Sequence, residues 1–458
     1  MITDTITAIA SAMSPSGIGI IRISGPESMD VINRIYKSKN GKKKIKEVSS
    51  HTIHYGFIMD GETVIDEVLV MIMKGPHTYT GEDTVEIDCH GGVLAMRKVL
   101  ETVIKYGARP AEPGEFTKRA FINGRIDLSQ AEAVMDVISA KSEYALKSSL
   151  SQLKGAVQRN IKDIRSKIIY HIAYIESALD DPEHISVDGY GDTLLEDLVP
   201  LREQIQNLFK SANEGKMIHE GIKTVILGKP NAGKSSLLKI LVGEEKAIVT
   251  DIAGTTRDIL EEQIVLQGIS LRMIDTAGIR ETDDTVEKIG VDRARKSAED
   301  ADLILYVVDA SVPLDDNDKE IMELLKNKKA IVLLNKSDLD TVVDENCLKD
   351  MVEAPVLWIS ANEETGNKTL EDTIKELFFT GEINFNDEVY ITNVRHKLAL
   401  EEADKSLNLV ENSIQMGMPE DFFTIDLMSA YESLGAIIGE SVGEDLVNEI
   451  FSKFCTGK

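Results

Sequence analysis

The segment Gly228-Lys-Pro-Asn-Ala-Gly-Lys-Ser235 comes directly after the apolar run Thr224–Leu227. It fits the pattern G-x-x-x-x-G-K-S, in which a strand leads into a phosphate-binding loop and then a helix. Glycine lets such a loop approach an anion closely, and N–H groups at the helix start point at its oxygens. The residues expected to contact phosphates are Asn231, Ala232, Gly233, Lys234, Ser235 and Ser236. Within this set, Lys234 would neutralise the β- and γ-phosphates and the Ser235 hydroxyl would hold Mg²⁺.

Apolar, partly β-branched segments recur through residues 221–382, and helical stretches separate the later ones. Such alternation predicts a parallel sheet with helices on both faces. The predicted strands are Thr224–Leu227, Ile264–Ile274, Leu303–Asp309, Ala330–Leu334 and Val356–Ser360. The phosphate-binding loop therefore belongs to an α/β domain.

Two further motifs lie where Mg²⁺ and the γ-phosphate of a nucleoside triphosphate would bind. Asp275-Thr276-Ala277-Gly278 ends a predicted strand, so Asp275 could hold Mg²⁺ through water and the Gly278 N–H could contact a γ-phosphate. Gly254-Thr255-Thr256-Arg257-Asp258 lies between the two, at the place of a switch segment. We expect the Thr256 hydroxyl to complete the Mg²⁺ shell only while the γ-phosphate is present.

Two motifs near the end of the α/β domain indicate the base. Asn335-Lys336-Ser337-Asp338 follows a predicted strand, and Asp338 could accept hydrogen bonds from N1–H and the 2-amino group of guanine. Adenine offers neither donor, and an unpaired carboxylate there would be costly. Ser360-Ala361-Asn362 follows the next strand and could bring a backbone N–H to the guanine oxygen. Together the five motifs predict GTP.

One position departs from Ras-like GTPases, which place a water-orienting glutamine after D-T-A-G. Here that residue is Ile279, whose side chain cannot orient water. Either hydrolysis is very slow or another group replaces the glutamine. The candidates that follow in the chain are Arg280, Glu281, Asp283, Asp284 and Glu287.

Composition narrows the class of protein. The chain has 458 residues, a net charge of −27 and no apolar run near the ~18 residues of a membrane span. An acidic chain is a poor non-specific nucleic-acid binder, so any RNA contact must be local. The basic run Lys37–Lys46 could be a solvated loop or such a contact. Cys89, Cys347 and Cys455 lack C-x-x-C spacing, which favours a reducing, cytoplasmic location.

Four stretches organise the chain, and we predict a multidomain protein from them. Residues 1–122 read as an α+β domain, 123–220 as helical, 221–382 as an inserted Ras-like α/β P-loop domain, and 383–458 as the return of the all-α helical bundle. Apolar residues at helical spacing run from Leu146 to Leu179, ended by Asp180-Asp181-Pro182. That stripe could be a coiled-coil seam or a long core helix of a bundle.

These motifs, with others along the chain, resemble the tRNA-modification GTPase family MnmE, also called TrmE. The resemblance extends beyond the α/β domain to Ala8–Pro26, Pro76–Asp83, His90–Gly92 and Pro113–Leu128. It reaches the last residues, Phe454-Cys-Thr-Gly-Lys458, which are similar to the family's ending F-C-I-G-K.

The resemblance implies a potassium-activated GTPase that works with a flavin-dependent partner, MnmG (GidA), which uses FAD and NADH. Together they would add an aminomethyl or carboxymethylaminomethyl group at C5 of the wobble uridine of certain tRNAs. The N-terminal domain would form a homodimer and hold a 5-formyltetrahydrofolate-type donor. The positions that match folate contacts are Arg22, Glu82, Arg125 and Lys458. The alternatives are a ribosome-assembly GTPase switch and a one-carbon transferase with a merely regulatory G domain.

The resemblance also implies a K⁺ site and a replacement for the missing glutamine. Asn231 matches the side-chain ligand of K⁺, and the carbonyls of Thr250, Ile252 and Thr255 match the other ligands. The matching cation loop and switch comprise Thr250, Asp251, Ile252, Ala253, Gly254, Thr255 and Thr256. Glu287 matches the residue that positions the attacking water. Cys455 is either a catalytic thiol near the modification chemistry or a small apolar filler at a helix end.

Overall fold

The computed structural model describes residues 4–39, 44–244, 262–266, 268–274, 295–326, 328–379, 390–440, 442–455 and 457. The chain divides into two compact units. The first unit comprises Met1–Met135, Leu153–Asp180 and Leu427–Lys458; the second comprises Asp136–Gln152 and Asp181–Asp426. The domain boundaries expected at residues 122, 220 and 382 stay predictions.

The first unit contains a seven-stranded sheet. Its strands are β1 Ile6–Ile9, β2 Ile18–Ser24, β3 Tyr36–Ser38, β4 Thr52–Asp60, β5 Thr63–Met73, β6 Thr84–His90 and β7 Arg109–Pro110. The order is β3-β4-β5-β6-β2-β1-β7, and all pairs are antiparallel except β1 with β7. Helices α1 Ser28–Ile35 and α2 Val93–Lys105 supply buried side chains to a core shared with the sheet. The α+β prediction for this region is confirmed.

Four helices follow the sheet along the chain: α3 Glu115–Ile122, α4 Leu128–Ser139, α5 Glu143–Leu153 and α6 Ala156–Asp180. The single helix predicted from Leu146 to Leu179 is wrong, because α5 ends before Gly155. Gly155 has a φ of +83°, a left-handed conformation that glycine adopts readily and that ends a helix. The predicted stop at Asp180 is confirmed. The buried part of the stripe lies in α6, where the buried isoleucines are Ile161, Ile164, Ile168, Ile172 and Ile175.

The second unit contains an α/β sheet preceded by the long helix α7 Tyr190–Glu220. The strands are β8 Ile222–Leu227, β9 Glu262–Leu266, β10 Ile269–Met273, β11 Leu303–Asp309, β12 Ala330–Asn335 and β13 Val356–Trp358. The helices are α8 Lys234–Glu244, α9 Asp316–Leu325, α10 Glu345–Met351 and α11 Asn367–Phe378. The strand order is β13-β12-β11-β8-β10-β9.

The sheet is parallel except at one edge. The segment Ile264–Ile274, predicted as one strand, is instead an antiparallel hairpin of β9 and β10. Its turn contains Gly268, which separates the apolar residues Ile264–Leu266 from Ile269–Ile274. The two faces bury alternate residues: Leu305 and Leu333 lie in one core, and Tyr306 and Leu334 lie in the other. A sheet covered on both faces is confirmed.

The chain ends with helices α12 Val394–Gln415, α13 Glu420–Ile438 and α14 Glu444–Ser452. Within the second unit, α12 packs against α7, and Arg202 bridges them through Asp404 at 3.0 Å and Glu411 at 2.5 Å. Val394 and Leu398, in the first two turns of α12, are more than half exposed. No helix in the described part of the chain is long and apolar enough to cross a membrane.

Candidate nucleotide site and candidate folate site

The loop between β8 and α8 is bent at defined backbone positions. Gly233 has a φ of +99°, and a Cβ there would lie 2.0 Å from Asn335 Nδ2, so only glycine fits. Asn231, the position matched to the K⁺ ligand, is exposed and has a φ of +63°, a conformation that asparagine tolerates. Ser235 and Ser236 lie in the first turn of α8. The loop therefore passes from a buried strand to a helix N-terminus, as the motif predicts.

Lys234, the first residue of α8, folds back over the loop. Its Nζ donates to the carbonyl oxygens of Gly228 and Lys229, each at 2.7 Å. Burial lowers the pKa of this ammonium group, because the charged form loses hydration. A cation that is partly desolvated and held over a loop of N–H groups is suited to an anionic ligand.

Asn335, at the end of β12, joins three of the predicted motifs. Its Nδ2 donates to the Ala232 carbonyl at 2.8 Å, and its Oδ1 accepts from the Ala361 N–H at 3.0 Å. The side chain is 1% exposed, so both contacts satisfy buried groups. The Ala361 N–H is thus already engaged, and a contact with a guanine oxygen at that N–H would have to be bifurcated.

Asp338 and Ser360 meet at the same edge of the sheet. The Ser360 hydroxyl donates to Asp338 Oδ1 at 2.5 Å and accepts from the Glu363 N–H at 3.1 Å. Asp338 is exposed, and so is Asn362 in the turn beyond Ala361. The Ser337 N–H donates to the Ile359 carbonyl at 3.2 Å, which ties the loop after β12 to β13. One carboxylate oxygen is therefore fixed by protein and the group as a whole faces out.

Lys336 has a partner that sequence reasoning missed. Its Nζ lies 2.5 Å from Asp309 Oδ2, at the end of β11, and its φ is +65°. Burial alone would raise the pKa of Asp309, but the Lys336 ammonium and two donors from Ser311 lower it overall. The position of Asp309 in the sequence could have predicted this pair. Asp309 ends a parallel strand beside β12, and the carboxyl ends of parallel strands lie at the same edge of a sheet.

Several predicted nucleotide and metal residues lie outside the described residues. They are Thr250, Asp251, Ile252, Ala253, Gly254, Thr255, Thr256, Asp275, Thr276, Ala277, Gly278 and Glu287, and Ile279 lies there too. Among the residues that are described, no group of three or more His, Cys, Asp or Glu side chains could hold a metal ion. Ser235 is the one predicted Mg²⁺ ligand that the structure places.

In the first unit, two of the predicted folate residues meet at an aromatic ring. The guanidinium carbon of Arg125 lies 4.8 Å from the centroid of Tyr79, and that of Arg22 lies 5.5 Å from it. Arg22 also pairs with Glu86 at 2.8 Å and donates to the Gly457 carbonyl at 3.1 Å. Arg125 is exposed, whereas Arg22 is largely buried. The two guanidinium groups thus lie around one ring, and Arg22 is in addition bound to other groups of the protein.

Glu82, the third predicted folate residue, is held from within the protein. It accepts from the Ser24 hydroxyl at 2.7 Å and from Arg119 Nη1 at 3.2 Å. Arg119 is 1% exposed in its side chain and also pairs with Asp4 and Glu115, each at 2.9 Å. Sequence reasoning missed Arg119 as the centre of this network, although it lies inside Pro113–Leu128. The fourth residue, Lys458, lies outside the described residues.

Cys455 follows α14 and is exposed as a free thiol, so it is not the buried filler that one interpretation assumed. Its carbonyl accepts from the Gly114 N–H at 3.3 Å, and the neighbouring Phe454 and Phe451 pack in a core. Cys89 differs, because it is buried and its pKa is raised to about 11 by desolvation.

The second unit's sheet, glycine-bent loop and following helix define a Ras-like P-loop G domain, and the sequence prediction of that class is confirmed. A family profile described as the MnmE helical domain matches residues 128–455. A second, described as the GTP-binding protein TrmE N-terminus, matches residues 5–125. The chain belongs to the MnmE (TrmE) family.

The relatives match along the whole chain. A protein of Lachnoclostridium phytofermentans named tRNA modification GTPase MnmE is 60% identical over 100% of both chains. Proteins with the same name from Acetivibrio thermocellus and Staphylococcus epidermidis are 49% and 46% identical over 99% of each chain. Among solved structures, the G domain of the T. maritima FeoB iron transporter is 27% identical and covers 34% of this chain and 98% of its own. The TM-score of that match is 0.25.

Proposed function

We propose that this chain hydrolyses GTP to GDP and phosphate and that the hydrolysis drives a tRNA modification. One observation carries the first part: Asn335 holds Ala232 of the phosphate-binding loop and Ala361 of the base-side turn in a single cluster. Phosphate and base elements distant in sequence are thereby brought to one edge of the sheet. The second part is supported by full-length similarity to proteins named tRNA modification GTPase.

The described residues have distinct tasks in this proposal. Lys234 neutralises the phosphates, and the Ser235 hydroxyl holds Mg²⁺, which supplies charge to the phosphate oxygens. Asp338 accepts from N1–H and the 2-amino group of guanine, and Ser360 holds it in place through Oδ1. Because adenine offers this carboxylate neither of the two donors that guanine offers, the site prefers GTP over ATP.

The hydrolytic step requires a substitute for glutamine, since Ile279 cannot orient water. We assign this role to Glu287, and we assign K⁺ to Asn231 and the carbonyls of Thr250, Ile252 and Thr255. K⁺ supplies positive charge beside the phosphates, where an arginine finger would act. The exposed, left-handed Asn231 fits this role because its side chain is not committed to the core of the domain.

The modification belongs to the first unit in this proposal. Arg22, Arg125 and Glu82 would bind a 5-formyltetrahydrofolate-type donor with Lys458, and Tyr79 would support the two arginines. The donor supplies one carbon for C5 of the wobble uridine, and a flavin-dependent partner, MnmG, acts with the chain on tRNA. The exposed thiol of Cys455 is available to this chemistry. A cytoplasmic location is part of the same proposal.

A homodimer completes the proposal. On the outer face of β4 and β5, Tyr55 stands opposite Leu69, and the two are 41% and 43% exposed. Ile53 on the same face is 59% exposed. Apolar side chains gathered on one face of a sheet are typical of a protein interface, and a second copy of this domain would cover them.

The test measures steady-state GTP hydrolysis by the full chain in K⁺ and in Na⁺, with ATP as competitor. We expect K⁺ to raise kcat by at least tenfold over Na⁺ and excess ATP to leave GTP binding unchanged. Glu287→Ala should lower kcat roughly 10²-fold while GTP affinity holds. The neighbouring Asp284→Ala is the control and should keep kcat. Equal competition by ATP would refute the guanine assignment, and an unchanged kcat in Glu287→Ala would refute its role.

A further inference from the structure

Lys229, the second residue of the phosphate-binding loop, is committed to carboxylates within the protein. Its Nζ lies 2.7 Å from Asp318 Oδ2 and 2.9 Å from Asp315 Oδ2. Both aspartates belong to the start of α9, where they form a reciprocal capping box. A lysine beside a phosphate site invites assignment as a phosphate ligand, but this ammonium group already has two acceptors.

Asp318 is buried and fully hydrogen-bonded. It is 1% exposed, and it accepts from the Tyr306 hydroxyl at 2.6 Å and from the Asp315 N–H at 2.9 Å, besides Lys229. Tyr306 is itself fully buried on β11. A buried carboxylate is costly unless it is paired and hydrogen-bonded, so Lys229 is held firmly by this partner. Strand, helix and loop are thus joined at one point.

The same residue shapes the loop through its backbone. The Lys229 carbonyl accepts from Lys234 Nζ at 2.7 Å and from the Ala232 N–H at 3.3 Å. The side chain of Lys229 therefore anchors the residue whose carbonyl orients the phosphate-binding lysine. Asp318 is thereby connected to Lys234 through Lys229.

We propose that Lys229 and Asp318 are positioning residues that hold the phosphate-binding loop in its binding shape before nucleotide binds. The inference rests on the proposed GTP binding for its consequence, though the loop shape itself can be measured without nucleotide. Pre-ordering a loop reduces the ordering cost of binding. Without the anchor, the chain should bind GDP and GTP with the same guanine preference but more weakly.

The decisive variant is the double substitution Lys229→Met with Asp318→Asn. It removes both charges together, so no uncompensated buried carboxylate remains, and an asparagine can still accept from Tyr306. The matched control is Lys319→Met with Asp316→Asn, an exposed pair 2.8 Å apart on the same helix. Lys229→Arg keeps the charge and reaches the same acceptors, so it should restore wild-type behaviour.

Two readouts are taken on the full chain at a temperature where circular dichroism shows every variant folded. The first is amide hydrogen exchange of a peptide spanning residues 228–236 without nucleotide, and the second is GDP and GTP affinity. In the double variant, the amide hydrogens of this peptide should exchange faster, and the affinity for both nucleotides should fall by roughly tenfold or more. The control pair should match the wild type in both measurements.

Unchanged exchange in the double variant would overturn the inference, and so would faster exchange with unchanged affinity. A wild-type chain that binds no GTP would refute the proposed function instead, and the exchange of the loop would still decide whether Lys229 and Asp318 hold it.

Discussion

The nucleotide site and the candidate folate site are built in opposite ways. Around the loop 228–235, contacts run largely through backbone atoms, as where Lys234 donates to two carbonyls and Asn335 binds one carbonyl and one N–H. In the first unit, the contacts run mainly between charged side chains, with Arg119 joining Asp4, Glu82 and Glu115. A site formed by backbone groups of one loop requires a fixed spacing of residues in the sequence. A network of charged side chains requires no such spacing.

The substitution expected to have the largest effect on the nucleotide site is Lys234→Ala. It removes the cation over the loop, so we expect kcat/KM for GTP to fall by about 10³-fold. Folate binding by the first unit should not change. The measurement is GTP turnover beside folate affinity by calorimetry, with Lys239→Ala, an exposed lysine on the same helix, as the control. Loss of both activities would mean that the two sites are not built independently.

The corresponding substitution in the first unit is Arg119→Met, which disrupts the side-chain network around Glu82. This substitution leaves Glu82 and Glu115 without their buried cation, which should cost about 3 kcal/mol of unfolding free energy and abolish folate binding. Denaturant unfolding measures the loss, and the adjacent, partly exposed Lys118→Met is the control. If Arg119→Met were as stable as Lys118→Met, the network would not be what holds Glu82.

A smaller effect is expected from Asp338→Asn, which should weaken the preference for guanine. Asp338→Asn keeps the size of the side chain but replaces a double acceptor by a group with a donor, so GTP affinity should fall roughly 10²-fold. A base with an oxygen in place of the 2-amino group should gain affinity. Competition binding measures both, and Asp340→Asn, exposed two residues later, should leave GTP affinity unchanged. Equal effects of the two substitutions would contradict the assignment.

The smallest predicted effect concerns acid stability. Burial alone would raise the pKa of Glu115, but hydrogen bonds from Arg109 and Arg119 outweigh it and keep the pKa below 4.5. A carboxyl with a lowered folded-state pKa stabilises above its unfolded pKa and loses this contribution as pH falls through the folded value. The first unit should therefore lose part of its stability as the pH falls below 4.5.

Unfolding free energy measured between pH 7 and pH 3 provides the test for this group. Glu115→Gln should flatten that profile, whereas Glu112→Gln, whose side chain the network does not use, should keep it. A Glu115→Gln profile as steep as that of the wild type would assign the acid sensitivity to other carboxyls.

The features that could be predicted from the sequence differ between the two sites in the same way. The strand, loop and helix at Thr224–Lys234, the base-side motif at Asn335–Asp338 and the parallel sheet were predictable, because each rests on local spacing. The turn between β9 and β10 was missed because the apolar residues on its two sides were taken as one strand, although Gln267-Gly268 stands between them. The end of α5 was missed because the apolar period runs across Gly155 without a gap.

The folate region shows what spacing cannot reveal. The family resemblance supplied Arg22, Glu82 and Arg125, yet Tyr79, Glu86 and Arg119 emerged only from the fold. Arg22 and Glu86 are 64 residues apart and meet as cross-strand neighbours on β2 and β6. A contact of that kind depends on strand order, which the local sequence pattern did not specify.

In the proposed function, two differently built sites serve one reaction on tRNA. Mass spectrometry of wobble uridine tests this in total tRNA from a strain in which the gene for this chain is deleted, and from the same strain supplied with the wild-type gene, Lys234→Ala or Arg125→Ala. We expect C5-modified uridine with the wild-type gene and unmodified C5 in the deletion strain and with either variant. Normal modification in cells without the chain, accompanied by defective ribosomal subunits, would contradict the account and favour a ribosome-assembly GTPase.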